Sequence, residues 1–424
     1  MPLESLKKDA TDAIDAMRAE LLGLSHAIHQ EPELALEEFK SAERLSKAVE
    51  RHDMPVQREA FGLKTAYVSE FGDASGPTIA ILSEYDALPG VGHACGHNII
   101  ATAGYGAAIA LSMLASRLPG RVRYLGTPAE ERYGGKEIMA RAGAFDGVDA
   151  AMMIHPSNLD LATMPCIAIS EVEVTFHGRA AHAAAMPHRG INALDAVVIA
   201  YQSIAQLRQH IRQSERIHGI ITEGGLAPNI VPERAGCRYY VRAADVHELA
   251  PLKRRVHACF EAAAHSTGCT AEIRWGDADY LDLKTNWPMA ESFSRNAQTL
   301  GREFSSPKSI PAGFAGSTDM GNVSHRVPSI HPMLAVAPAD VIIHNAEFAR
   351  WAASDKADAA VIDGAKALAM TALDLMSEKG LLETTRADFE ATADVSKAAL
   401  ARLNEKVVDS HARHDHGDAG CGCA

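Results

Sequence analysis

The chain lacks any uninterrupted apolar run near the ~18 residues that a membrane helix needs. Its most apolar long stretch, Ile99 to Leu118, is interrupted by Gly104, Gly106, Ser112 and Ser116 and reads as a buried helix. No apolar signal core follows Met1-Pro2-Leu3-Glu4, so a secretory route is not expected. Positive charge is not in excess either. The net charge of −13 argues against a general nucleic-acid surface and means that an acidic ligand would need a local basic contact. Cysteines are few and odd in number, seven scattered over 424 residues. That excludes a disulfide framework, and a functional thiolate needs a reducing compartment, so a cytoplasmic location is expected. No internal repeat or long low-complexity linker is evident.

What is present is an ordinary globular composition, 47% hydrophobic and 22% charged, at a length that favours two domains. Helical periodicity runs over residues 6–29 and 36–52, separated by Glu31-Pro32-Glu33. Short strand-like runs follow at Thr65–Phe71, Thr78–Leu82, Val122–Leu125 and Ala150–Ile154, interleaved with the helix after His97 and another near Gly135–Ala142. Alternation of this kind predicts an α/β layer structure with a parallel or mixed sheet. Near residue 170 the pattern changes to the strict alternation Glu171-Val172-Glu173-Val174-Thr175-Phe176. Strand, helix, two strands, helix and strand then follow to about Trp275, the ferredoxin-like pattern of a compact inserted α+β domain. An apolar strand over Ile330–Val336 and a long amphipathic helix from Ala346 to Met376 return the chain to its first domain. The expected division is 1–168 and 287–404 for the first domain, 169–286 for the insertion, and 405–424 for a disordered tail. The tail's His411, His414, His416, Cys421 and Cys423 give it a second reading as a transient metal binder.

The richest stretch is His93-Ala94-Cys95-Gly96-His97. It holds a thiol and an imidazole two residues apart around a glycine that lets both face one point. Thr127-Pro128-Ala129-Glu130-Glu131 places adjacent carboxylates just past a predicted strand, and His155 and His344 are further imidazole candidates. Several of these groups fall at carboxyl ends of predicted strands, where open α/β sheets collect ligands. A thiolate, imidazoles and a carboxylate pair are the donors of a hydrolytic metal centre. Neighbouring loop residues point in different directions, so the glutamates can divide the work: Glu131 as ligand, Glu130 as the base that takes a proton from the attacking water. Taken singly, each residue has a plainer explanation: a buried apolar cysteine, a strand-ending histidine, a solvated Glu-Glu pair, a helix cap at His344-Asn345.

The combined motifs resemble the M-twenty metallopeptidases. They are Glu84-Tyr85-Asp86-Ala87-Leu88-Pro89, His93 to Asn98, Gly126 to Glu131, and Phe176-His177-Gly178-Arg179-Ala180-Ala181-His182-Ala183. They are most similar to the amidohydrolase branch of aminobenzoyl-glutamate hydrolases, auxin-conjugate hydrolases and aminoacylase-like dipeptidases. The resemblance implies a zinc-exopeptidase-like catalytic domain with a mixed sheet flanked by helices, plus a lid or dimerisation domain. It implies two divalent cations, zinc or manganese with cobalt also accepted, held by Cys95, His97, Glu131, His155 and His344, with Cys95 able to bridge them. Glu130 falls on the catalytic base and Asp86 on a carboxylate that orients a ligand histidine. His182 falls on an oxyanion donor and Asn229 on a substrate contact, both from loops that complete a partner's site in a homodimer. Arg242 resembles a carboxylate-binding arginine, and the Gly316-Ser317-Thr318-Asp319 loop a substrate-proximal segment, with helix capping the simpler use of Ser317.

The implied activity is hydrolysis of the amide bond of N-acyl amino acids or small dipeptides bearing a free carboxylate. Asn98 departs from the aspartate that many branch members carry there, and Glu84 also departs; both forms look more like the dipeptidase subgroup. Two other readings are a non-catalytic metal-binding or regulatory relative, which has no reason to keep Glu130, and a Cys95 nucleophile, for which no base and orienting partner stand out.

Overall fold

The computed structural model describes residues 2–305, 316–403 and 407. The tail expected over 405–424 lies outside the described residues apart from Val407. The chain divides into two compact units, one of Met1–Ile167 with Tyr280–Leu400, the other built on Ala168–Asp279.

The first unit begins with helices α1 (Leu3–Ala16), α2 (Arg18–Gln30) and α3 (Phe39–Glu50). Strands β1 (Gln57–Arg58), β2 (Tyr67–Gly72) and β3 (Thr78–Ser83) lead to α4 (His97–Ser112). Next come β4 (Arg121–Gly126), α5 (Gly135–Arg141), β5 (Ala150–Met152) and β6 (His155–Ser157). Its six-stranded sheet has the order β1-β2-β4-β3-β5, completed by β11 (Ser329–Ile330). The β1–β2 and β2–β4 pairs are antiparallel and the others parallel, so the sheet is mixed. Helix α4 is buried on every side from His97 to Leu111. It approaches β3 so closely that a Cβ on Gly104 would sit 2.7 Å from the Leu82 carbonyl oxygen.

The second unit is a four-stranded antiparallel sheet of β7 (Ala168–His177), β8 (Arg216–Glu223), β9 (Arg234–Ala243) and β10 (Thr270–Trp275). Its order is β10-β7-β9-β8. Helices α6 (Ala193–Leu207) and α7 (Val246–Thr267) pack on it around Val174, Phe176, Val197, Tyr239 and Phe260. Strand β7 alternates buried and half-buried along its length, which is the physical content of the period-two pattern read from the sequence. Strand order and connectivity are ferredoxin-like.

The chain then adds α8 (Trp287–Thr299), α9 (Met320–Ser324), β11, β12 (Met333–Ala335), α10 (Ala346–Trp351), α11 (Asp355–Ser377), α12 (Leu381–Glu390) and α13 (Ala393–Leu403). Two expectations are corrected here. The apolar run Ile330–Val336 is two strands in different sheets, because Pro332 has no N–H to continue a ladder; β12 pairs instead with β6 in a separate two-stranded sheet. The helix expected from Ala346 to Met376 is two helices. Ser354 adopts extended backbone and caps the second by accepting from Ala357 N, an ordinary N-cap.

Candidate metal centre

Strands β3, β4, β5 and β11 run in parallel, so their carboxyl ends lie along one edge of the sheet. From that edge Glu84 and Asp86 follow β3, Glu130 and Glu131 follow β4, and His331 follows β11. His155 does not trail β5, as expected, but opens β6. Gly96 makes the approach possible: its φ is +81° and a Cβ there would meet Pro156 Cγ at 2.6 Å. The loop before α4 is thereby brought against His155.

The five predicted ligands form two overlapping groups. Cys95, His97 and His155 offer donor atoms within 4.8 Å of one another, as do Cys95, Glu131 and His344, so the Cys95 sulfur is common to both. Sγ lies 3.3 Å from His155 Nε2, and His344 Nε2 lies 3.8 Å from Glu131 Oε2. Each donor is aimed from behind. His97 Nδ1 donates to Asp86 Oδ1 at 2.9 Å, while Asp86 Oδ2 accepts from Glu131 N at 2.9 Å. One carboxylate thus fixes both a ring and the backbone of the neighbouring glutamate, leaving His97 Nε2 facing inward. His155 Nδ1 lies 2.6 Å from the Pro156 carbonyl oxygen, so Nδ1 carries the proton and Nε2 faces the sulfur. His344 is more exposed and is held at φ +69° with its N–H donating to the Ala94 carbonyl.

His97 Nε2, Glu131 Oε1 and Glu84 Oε2 are among the buried atoms of this pocket with no hydrogen-bond partner among the described residues. A buried polar atom left unpaired costs about 1–3 kcal/mol, more if charged. Converging N and O orphans beside the Cys95 sulfur fit a bound divalent cation. The electrostatics agree. Burial pushes the Cys95 thiol well up and Glu131 to about 7. Burial, helped by His97, lowers His155 to about 3, keeping it a neutral imidazole ready to ligate. Burial opposes ionisation of Asp86, yet His97 beside it holds that carboxyl below its usual range.

Several supports were not anticipated. Glu38, wholly buried, accepts from Ala129 N at 2.8 Å and from Thr65 Oγ1 at 3.0 Å; it holds Ala129 at φ +63°, the elbow that turns the two glutamates inward. Tyr280 Oη donates to the Glu130 carbonyl at 2.6 Å and accepts from Gly134 N at 2.9 Å. Buried Lys136 pairs with Glu84 and Asp319. No local sequence signal marks this last pairing.

Asn98 acquires a reason. Its Nδ2 donates to Ser25 Oγ and to the Ala352 carbonyl, both at 2.9 Å, tying the first turn of α4 to the end of α10 and so to the His344 loop. An aspartate has no proton to give that carbonyl. Asn98→Asp is expected to lower unfolding free energy by about 1–3 kcal/mol, read from the urea midpoint at unchanged m-value; an unchanged midpoint would refute this account.

The remaining predicted site residues sit as follows. Ser317 Oγ donates to the Ile167 carbonyl at 2.7 Å. In the second unit His182 is exposed, and its Nδ1 accepts from the N–H groups of Ala184 at 3.3 Å and Ala185 at 3.2 Å. That arrangement leaves the proton on Nε2. Ala183 N donates to the Asn229 carbonyl at 3.0 Å, so the His182 and Asn229 loops are stitched together. Arg242 stands near the end of β9, its guanidinium 5.9 Å from the Tyr240 ring centre.

Comparison with known proteins adds an independent line. The sequence profile of peptidase family M20/M25/M40 matches residues 80–373. The chain is 42% identical over 401 residues to an Xaa-Arg dipeptidase of Mus musculus, covering 92% of this chain and 93% of that protein. It is 29% identical over 464 residues to one of the subunits of the p-aminobenzoyl-glutamate hydrolase of Escherichia coli, covering 92% and 96%. A solved Bacillus subtilis structure described as a dinuclear metal-binding peptidase superposes with a TM-score of 0.60 at 21% identity, covering 85% of this chain and 99% of that one.

Proposed function

The chain belongs to peptidase family M20/M25/M40, and from that premise we propose that it is a dinuclear dipeptidase that prefers a basic residue on the carboxyl side of the scissile bond. It is a metal-dependent amide hydrolase; the dipeptide preference is the finer step. The observation that carries the dinuclear reading is the single Cys95 sulfur shared by two complete donor groups. The preference for a basic residue is supported by the 42% identity to an Xaa-Arg dipeptidase over nearly the whole of both chains.

Cys95, His97 and His155 would hold one cation, and Cys95, Glu131 and His344 the other. When bound, the cations would polarise the amide carbonyl and acidify the attacking water. The chain's own groups do the rest. Glu130, next to the ligand Glu131 and with Oε2 3.8 Å from His97 Nε2, takes the water proton and returns it to the leaving amine. His182 donates from Nε2 to the developing oxyanion. Asn229, Arg242 and Ser317 hold the substrate, the arginine by a two-pronged contact to its carboxylate. The mixture of thiolate and imidazole donors favours zinc, and the carboxylates admit manganese.

A panel of Xaa-Arg and Xaa-Lys dipeptides, neutral dipeptides and N-acyl amino acids, each assayed with Zn²⁺ and Mn²⁺, tests the reading. The basic dipeptides are expected to give the highest kcat/KM. Faster cleavage of N-acyl amino acids would return the chain to an aminoacylase role.

We also infer a homodimer formed through the second unit. Strand β8 is an edge strand carrying Ile220 at 62% and Ile221 at 45% exposure, and α6 presents Val198, Ile199 and Tyr201 to solvent. An exposed apolar edge of this kind is a pairing surface. In that assembly the His182 and Asn229 loops serve the partner subunit's metal centre. Ile220→Glu is expected to sediment as a monomer and to lose most of its activity; a fully active monomer would overturn the assignment in trans.

A further inference from the structure

Lys136 opens α5 with its whole side chain buried. Its Nζ lies 2.7 Å from Asp319 Oδ1 and also binds Glu84 Oε1, and its backbone N–H donates to Asp319 Oδ2 at 2.8 Å. A buried charge cluster is an expensive way to hold a core together, since packed apolar side chains do so equally well. What it does achieve is geometric. With Oε1 anchored on the lysine, the Glu84 carboxylate cannot turn, and Oε2 is left pointing at His97 Nε2 from 3.6 Å.

That separation is too long for a hydrogen bond, and neither atom has a hydrogen-bond partner among the described residues. It does suit two ligand atoms that each stand about 2.0–2.2 Å from one cation. Glu84, His97 and Glu130 form a third group of donor atoms within 4.8 Å of one another, all three residues buried. A single imidazole nitrogen serves one cation, so the carboxylates of this group address the cation that His97 holds.

We propose that Glu84 is a further ligand of that cation and that Lys136 is the residue that positions it. The proposal rests on the dinuclear reading of the pocket and adds to it. Of the two carboxylates in this group, Glu84 is the one suited to a fixed coordination position, because its other oxygen is tied down. Glu130 has to gain and lose a proton in each turnover and remains the base. A carboxylate oxygen added to sulfur and imidazole donors shifts the preference of that position towards harder ions such as Mn²⁺.

The test uses the full chain, stripped with chelator and titrated calorimetrically with Zn²⁺, Mn²⁺ and Co²⁺, with the visible spectrum of the Co²⁺ form as a second readout. The native protein is expected to take up two ions. Glu84→Gln is expected to bind one of them at least about tenfold more weakly, because removing partners of the ligands alone already costs that much. Its Co²⁺ bands should shift, and its loss for Mn²⁺ should exceed that for Zn²⁺. Glu84→Asp keeps the charge pair with Lys136 but withdraws the free oxygen by a methylene; the same changes are expected there, and this variant decides the matter if Glu84→Gln does not fold. Two ions bound with native affinities and a native Co²⁺ spectrum would overturn the role of Glu84 and leave the dinuclear reading standing. A native chain that binds no ion would overturn both.

Discussion

Glu130→Gln is expected to cut turnover by ~10²–10⁴ while the protein keeps both cations, its fold and its KM. The substitution conserves shape and removes only the capacity to accept a proton. Its structural cost is small because the backbone of Glu130 is held independently of its side chain: Tyr280 Oη grips the Glu130 carbonyl and is itself held by Gly134 N. Glu38 sets the elbow one residue earlier. Burial first, and then the charges of Glu84 and Glu131, push the Glu130 carboxyl well above the ordinary carboxylate range. Steady-state kinetics on an Arg-terminated dipeptide, together with metal analysis of the same sample, check the split. A variant with near-native turnover would remove Glu130 from the chemistry. A variant that also lost its metal would make Glu130 a ligand.

Much of this centre was legible before any coordinates. Cys95, His97, Glu130 and Glu131 follow parallel strands, and strand ends can be located from short β-branched and apolar runs; His155 opens β6 instead. The βαββαβ order of the second unit was equally plain, because β7 alternates without a break and its partners follow at regular spacing. What was not legible depends on distant partners. Nothing local distinguishes Lys136 from a solvated helix lysine; its burial follows from Glu84 and Asp319, 52 and 183 residues away in the chain. Glu38 likewise reads as one acid of a Glu-Glu pair until the Thr65 and Ala129 donors are seen around it. The break between α10 and α11 escaped for a related reason: the apolar spacing is continuous across Ala352, but the Ala352 carbonyl is taken by the Asn98 side chain. Local periodicity reports which face is buried, and it carries no record of which distant side chain will claim a backbone group.

Cys95→Ala is expected to weaken binding of both cations at once, with loss of most of the activity. His155 occurs in one donor group and His344 in the other, so His155→Ala and His344→Ala should each weaken one ion and spare the second. Cys95 alone is common to the two groups. The same substitution should cut the stabilisation that the ions give the fold. At free ion concentrations about 100 times Kd, each site contributes about 2.7 kcal/mol, so the native protein should lose roughly 5 kcal/mol on chelation. Cys95→Ala should lose much less, because it holds neither ion as tightly. Van der Waals loss at a residue only 4% exposed lowers the variant's own baseline, which is why the comparison is between chelated and loaded samples of each protein. Metal analysis after gel filtration and paired urea titrations supply the numbers. If Cys95→Ala still carried two ions per chain, or if chelation destabilised it as much as it does the native protein, the sulfur would not be the bridge and the two groups would have to be separate sites.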